Sequence, residues 1–257
     1  WLEHAEPFSI LFGWIGRLSL LDRRFADGHH VRLGLVWPGR GLVTLAGLPM
    51  AGVLFVILTL STSAFDGFSR SFLWLAALGI NPLEFPGRSA VVVSGSLGLI
   101  GMFALQALLY VGAVALGAVL AGRPKLWRLA CGQLIFSLVP IALAFQAAHH
   151  LVSVLVDGQN ALIALSDPFS LGWNLFGTAH WHTTTSFLNT LAGVTWIFNA
   201  ETVFIVLGHI TGIIMAHLIA IRMFGNARAA MISQIPLAVL MVSYTAFGLW
   251  LLATPRI

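Results

Sequence analysis

Glu201, His209 and His217 are three ionisable residues spaced eight apart within Ser186–Phe224, a stretch predicted to form one long membrane-spanning helix. Between Ala200 and Met223 the other polar residues are Thr202, Thr211 and Arg222. Imidazole suits zinc, copper or iron, carboxylate suits harder cations, and either group can carry a proton. A charged group at mid-depth in a bilayer costs ~2.5–3.5 kcal/mol on insertion scales, so these side chains are expected to face protein or trapped water. Eight steps along an α-helix return a side chain to within ~80° of its starting direction and ~12 Å further along the axis. The three therefore form a polar ribbon, not a single chelating face.

Other candidates lie elsewhere in the chain. His149 and His150 close an apolar run, and Asp66, Asp157, Asp167, His180 and His182 fall in polar stretches. The leading expectation is that His149, His209 and Asp66, joined by Glu201 or by His180 and His182, hold a transition-metal ion. His180-x-His182 on an extended segment would put both rings on one side, whereas His150 points ~100° away from His149 on a helix. An ion with an open position would lower the pKa of bound water and supply a hydroxide for ester hydrolysis. Each residue also has a plainer role: His149 as a buried imidazole bonded to a carbonyl, Glu201 as a carboxylate at the lipid surface, His217 as a link between helices.

Three alternatives use the same residues. A b-type haem needs two axial histidines on facing helices, and His149 with His209 is the candidate pair, Gly208 leaving room for a flat ring; a quinone contact belongs to the same redox class. A transporter would use Glu201, His209 and His217 as a path, although no inverted repeat is visible. In a structural subunit without a cofactor, the histidines would only join helices. A hydrolytic triad finds no G-x-S-x-G elbow, and Cys131 has no evident base.

The elements that must position these residues follow from composition. Of 257 residues, 58% are hydrophobic and 9% charged, against ~25% charged in soluble domains; the mean hydropathy is +0.93. The class is an all-α, polytopic transmembrane helix bundle. An excess of +4 charges, mostly loop arginines, reports topology and excludes nucleic acid as the partner. Residues 1–41 read as an interfacial helix followed by a basic loop, and residues 42–257 as the transmembrane domain. Five spans are predicted, at about 42–65, 90–121, 129–156, 190–222 and 229–253, each long enough for the ~20 residues a bilayer requires. Glycines 95, 98, 101, 112 and 117 predict that the second span packs in the middle of the bundle. Segment 22–40, which includes Gly28-His29-His30, reads as a polar loop, and 66–89 and 157–185 as loops on the opposite side.

Ten of the thirteen Lys and Arg residues lie in segments 17–40, 122–128 and 222–228, which makes those loops cytoplasmic and loops 66–89 and 157–185 periplasmic or exterior. Lipids and other membrane subunits are the expected partners. A chain opening at Trp1 is expected to belong to something longer.

Several motifs resemble a family of bacterial integral membrane proteins that carry the automatic label "fenitrothion hydrolase". They are Glu6-Pro7-Phe8, Ser63-Ala64-Phe65-Asp66-Gly67-Phe68-Ser69, Ser137-Leu138-Val139-Pro140 leading to Ala148-His149, Ser166-Asp167-Pro168-Phe169, Gly172-Trp173-Asn174, Gly208-His209, Ala216-His217, and Ser233-Gln234 leading to Gly248-Leu249-Trp250. The resemblance implies a bacterial inner-membrane protein associated with organophosphate hydrolysis. It brings no catalytic residues with it, but Asp66, His149, His209 and His217 all fall in its motifs.

Overall fold

The computed structural model describes residues 6–26, 30–81 and 88–254, with the backbone alone at 23–26, 30–32 and 88–90. His29 and residues 82–87 of the segment read as a loop lie outside the described residues. In chain order the elements are α1 (Pro7–Gly16), strands β1 (Leu21–Ala26) and β2 (His30–Leu35), a short α2 (Arg40–Val43), α3 (Met50–Ser69), a short α4 (Phe72–Ala77), α5 (Arg88–Leu120), α6 (Trp127–Leu134), α7 (Val139–His149), α8 (Leu151–Ser166), α9 (Leu191–Phe224) and α10 (Ala227–Ala253). A 3-10 turn over Ile135–Leu138 joins α6 to α7. Five helical segments are long and apolar enough to cross a membrane: α3, α5, the α6–α7 rod, α9 and α10. The protein is an all-α, multi-pass membrane bundle.

Local chemistry sets the helix ends. Thr190 opens α9 by accepting from the Gly193 amide at 3.1 Å, and Gly225 closes it at φ +64°, a conformation glycine adopts without steric cost. Asn226 then caps α10 by accepting from the Arg228 amide at 2.9 Å. Two residues thus turn α9 back on itself as a tight antiparallel hairpin. Pro140 sits in the first turn of α7, where its missing N–H breaks no helical bond.

α7 and α9 form the closest seam. A Cβ added at Gly208 would lie 2.4 Å from the Ala144 Cβ, and one at Gly212 would lie 2.6 Å from the Ser137 carbonyl oxygen. Only glycine permits this approach. Around the seam, Ile135, Phe136, Ile141, Met215 and Ile219 pack with Val53, Ile57, Tyr110 and Leu237 in one core. α1 docks on it through Trp14, whose ring meets Phe136 edge-on at 6.1 Å.

The structure differs from the sequence reading in five places. The first long helix is Met50–Ser69 and not 42–65, so Asp66 stands on a helix and not in a loop, and the segment read as loop 66–89 also holds α4. α5 is peripheral: 11% of its most apolar stretch is buried, against 67% for the α6–α7 rod. Its glycines at 95, 101 and 112 meet nothing within 4 Å, while a Cβ at Gly117 would strike the Ser233 carbonyl. Glycine allows close approach but does not bring a partner. The basic segment after α1 is a β-hairpin, paired from Leu21↔Leu35 to Ala26↔His30, since a two-strand ladder satisfies the backbone whatever the side-chain charge. The third span stops at His149, with α8 beginning afresh at Leu151 in a segment read partly as loop. Ser186–Phe224 is not one helix, for a 3-10 turn at Ser186–Asn189 precedes the Thr190 cap.

Candidate functional site

α3, α7 and α10 meet at one end of the bundle. His149 closes α7 there, and Asp66 lies in the last turn of α3. The His149 Nε2 and Asp66 Oδ2 are 2.8 Å apart. The other carboxylate oxygen, Oδ1, accepts from Arg70 at 3.0 Å, four residues further along the chain. Exposure rises along this line, from 6% for the His149 side chain to 41% for Asp66 and 58% for Arg70. A buried imidazole is thus tied through a half-exposed carboxylate to a guanidinium in solvent. The ring is fixed further by stacking on Phe145 at 6.0 Å and by an edge contact with His150 at 4.9 Å. A Cβ at Gly67 would lie in ordinary contact with both His149 and Leu251, which marks how closely the three helices converge.

Glu201 belongs to this level. Gly208 lies against Pro140 and Ala144, and Gly212 against Ser137 and Ile141. Carrying that antiparallel register back two turns brings Glu201 level with His149. Glu201 is buried, at 8% exposure, so its carboxylate lies inside the protein and not at the lipid surface.

His209 lies elsewhere. The same register puts it ~12 Å deeper than Glu201 along the α9 axis. Its Nδ1 is 2.8 Å from the Ile205 carbonyl oxygen, which can only accept, so Nδ1 carries the proton. The ring is buried, and Nε2 has no hydrogen-bond partner in the structure. It lines a cavity of about 60 Å³ together with Gln106, Tyr110 and Tyr244. His149 and His209 therefore do not meet at one depth, and the His149 Nε2 is engaged by Asp66. The structure does not bring the two together as axial ligands of one haem or as donors to one ion, because an eight-residue offset on a straight helix separates them.

His217 is exposed on α9, and its Nδ1 lies 3.2 Å from the Gln234 side-chain nitrogen of α10. That contact joins helices, as the plainer reading expected. His209 faces the interior and His217 the outside, so the ribbon makes no continuous path. His180 and His182 are exposed in the segment after α8. Among the described residues no three His, Cys, Asp or Glu side chains are placed to hold one metal ion.

Three residues matter here that the sequence reading passed over. Arg70 follows Asp66 by one helical turn, a spacing that marks an intrahelical ion pair. Gln106 and Tyr244 are polar groups within spans. The chain has just two tyrosines, Tyr110 and Tyr244, and both lie inside spanning helices and not in an interfacial belt. No family model, no curated protein and no solved structure matches the chain. The family likeness rests on the motifs alone.

Proposed function

We propose that the protein works from the end of the bundle that carries His149, that this end faces the cell exterior, and that His149 there holds a transition-metal ion. The observation that carries this reading is the 2.8 Å hydrogen bond between the His149 ring and Asp66. A carboxylate on one ring nitrogen fixes the tautomer and orientation of an imidazole and raises the basicity of the other nitrogen, the arrangement that backs ligating histidines. Glu201, buried at the same level, is the second protein donor in this reading. Asp66, shared with Arg70, acts through the ring and not as a direct ligand. The sidedness rests on the basic loops gathered at the opposite end.

Metal analysis of protein purified without chelator tests the reading. The wild type is expected to carry roughly one equivalent of zinc, copper or iron. His149→Ala and Glu201→Gln abolish it, and Asp66→Asn weakens binding about 10- to 100-fold. A wild type that stays metal-free after loading with each ion overturns it. Loaded and stripped protein assayed side by side on an organophosphate ester then shows whether the ion is hydrolytic, as the resemblance implies.

One observation favours a second reading, membership of a larger membrane complex. The open face of α5, with Gly95, Gly101 and Gly112 unopposed, is of the small-residue kind that lets another membrane helix approach. A Gly112→Leu variant should then run at lower native mass than the wild type; equal masses would count against a partner on that face.

A further inference from the structure

The buried imidazole of His209 has no role in the site just described, and its surroundings define a second one. Among the described residues, two buried side-chain polar atoms lack a well-formed hydrogen bond, the His209 Nε2 and the Tyr244 hydroxyl. Both residues line the same cavity of about 60 Å³ between α3, α5, α7, α9 and α10. Leaving a buried polar atom unpaired is costly, and two around one cavity point to a group that enters it. The Gln106 amide oxygen takes a hydrogen bond from Ser61 at 2.7 Å, and the same side chain lies near the Tyr244 hydroxyl without closing a well-aligned bond to it.

The chemistry of that group follows from donor and acceptor roles. His209 gives its Nδ1 proton to Ile205, so its Nε2 presents a lone pair and requires a donor. Tyr244 Oη has a proton to give. A hydroxyl serves both, donating to His209 and accepting from Tyr244, whereas a carbonyl would set an oxygen lone pair against the Nε2 lone pair.

The shape of the ligand follows from the neighbouring space. Beside the polar cavity, and sharing its walls at Gln106, Leu109, Leu240 and Tyr244, lies an apolar groove of about 800 Å³. Phe65, Phe68, Trp74 and Phe247 line it. A Cβ at Gly98 would strike the Phe65 and Trp74 rings, so glycine there lets the aromatic wall stand against α5. The groove follows α5, the least buried span, where Leu97 and Leu105 are 64% and 52% exposed. Entry is from the bilayer, and an aromatic wall suits a flat ring.

We propose that the His209–Tyr244 cavity and this groove together bind a lipid-soluble hydroquinone, its hydroxyl between the two polar atoms and its ring and tail along the aromatic wall. The site distinguishes redox states by hydrogen-bond polarity: the reduced form donates to His209 and the oxidised form cannot. This binding is independent of any metal at His149.

The test is titration calorimetry on the full chain in lipid nanodiscs, under anaerobic conditions, with decyl-benzoquinol and decyl-benzoquinone. The wild type should bind the quinol roughly tenfold more tightly than the quinone, the effect of satisfying one buried acceptor. Tyr244→Phe, which keeps the ring and its packing, and His209→Leu should each bring that ratio toward one. Equal binding of the two forms overturns the proposal, as does an unchanged preference in both variants. So does uptake no greater than in empty nanodiscs, which would leave the cavity to water. Because Tyr244→Phe removes one oxygen atom and keeps the packing of the ring, a failure of His209→Leu to fold leaves the proposal testable.

Discussion

The seam between α7 and α9 and the outward face of α5 are both rich in small residues, yet they behave in opposite ways. At the seam, Gly208 and Gly212 have the facing helix within contact, and the α6–α7 rod is the most buried of the five spans. On α5, Gly95, Gly101 and Gly112 face open space. The difference is not in the glycines but in what the fold brings opposite them. The seam also orients the chemistry: it brings Glu201 level with His149 and leaves His209 two turns deeper. The face of α5 instead borders the aromatic groove.

Substitution at the two surfaces should separate them most clearly. Gly208→Val drives a side chain into Ala144 and the Pro140 carbonyl and is expected to cost about 1–3 kcal/mol, read as a lower midpoint in detergent unfolding. Gly101→Ala meets nothing and should stay within about 0.5 kcal/mol of the wild type. Similar losses in both would erase the distinction.

The two tyrosines sharpen the same contrast on a smaller scale. Tyr110 donates to the Cys131 carbonyl at 2.8 Å, so Tyr110→Phe is expected to cost roughly 0.5–1.5 kcal/mol. Tyr244 has only the Gln106 side chain nearby and makes no well-aligned bond. Tyr244→Phe should therefore be neutral to slightly stabilising in ligand-free protein. A larger loss at Tyr244 than at Tyr110 would show that the hydroxyl is already satisfied.

The smallest effect lies at α1, docked beside the seam. Hydrogen bonds from Ser9, chiefly, and from Phe8 hold the exposed Glu6 carboxyl below its ordinary value of 4.5. The folded pKa is depressed, so the cap contributes fully above the ordinary value and is lost as pH falls through the folded one. Carboxyl NMR should show Glu6 titrating at lower pH than it does after Ser9→Pro, which removes the Ser9 amide. The same titration midpoint in both would rule out the cap as the cause.

Much of this architecture was legible in the sequence. The long apolar runs located the spans because the bilayer forces one hydrophobic length on every crossing. Asp66 and His149 stood out as ionisable groups near predicted span ends, and the structure pairs them. The depth of His209 relative to His149 was not legible, because it depends on the α7–α9 register, which Gly208 and Gly212 set through contacts with residues some seventy positions away in the chain. The position of α5 was misread for a related reason: small residues permit packing, and composition cannot say where a partner stands. The hairpin at Leu21–Leu35 was hidden by its arginines, since ladder formation depends on backbone pairing and not on side-chain charge. Tyr244 and Gln106 were visible as polar residues in apolar runs, but only the fold shows that they share a cavity with His209.

The central claim is that His149 and His209 serve two separate sites. Protein labelled with ¹⁵N-histidine in nanodiscs and titrated with Co²⁺, whose paramagnetism broadens the signals of nearby nuclei, tests it most directly. The signals of His149 should vanish at stoichiometric metal while those of His209 and His217 survive. Loss of His149 and His209 together, or survival of all three, would contradict the account.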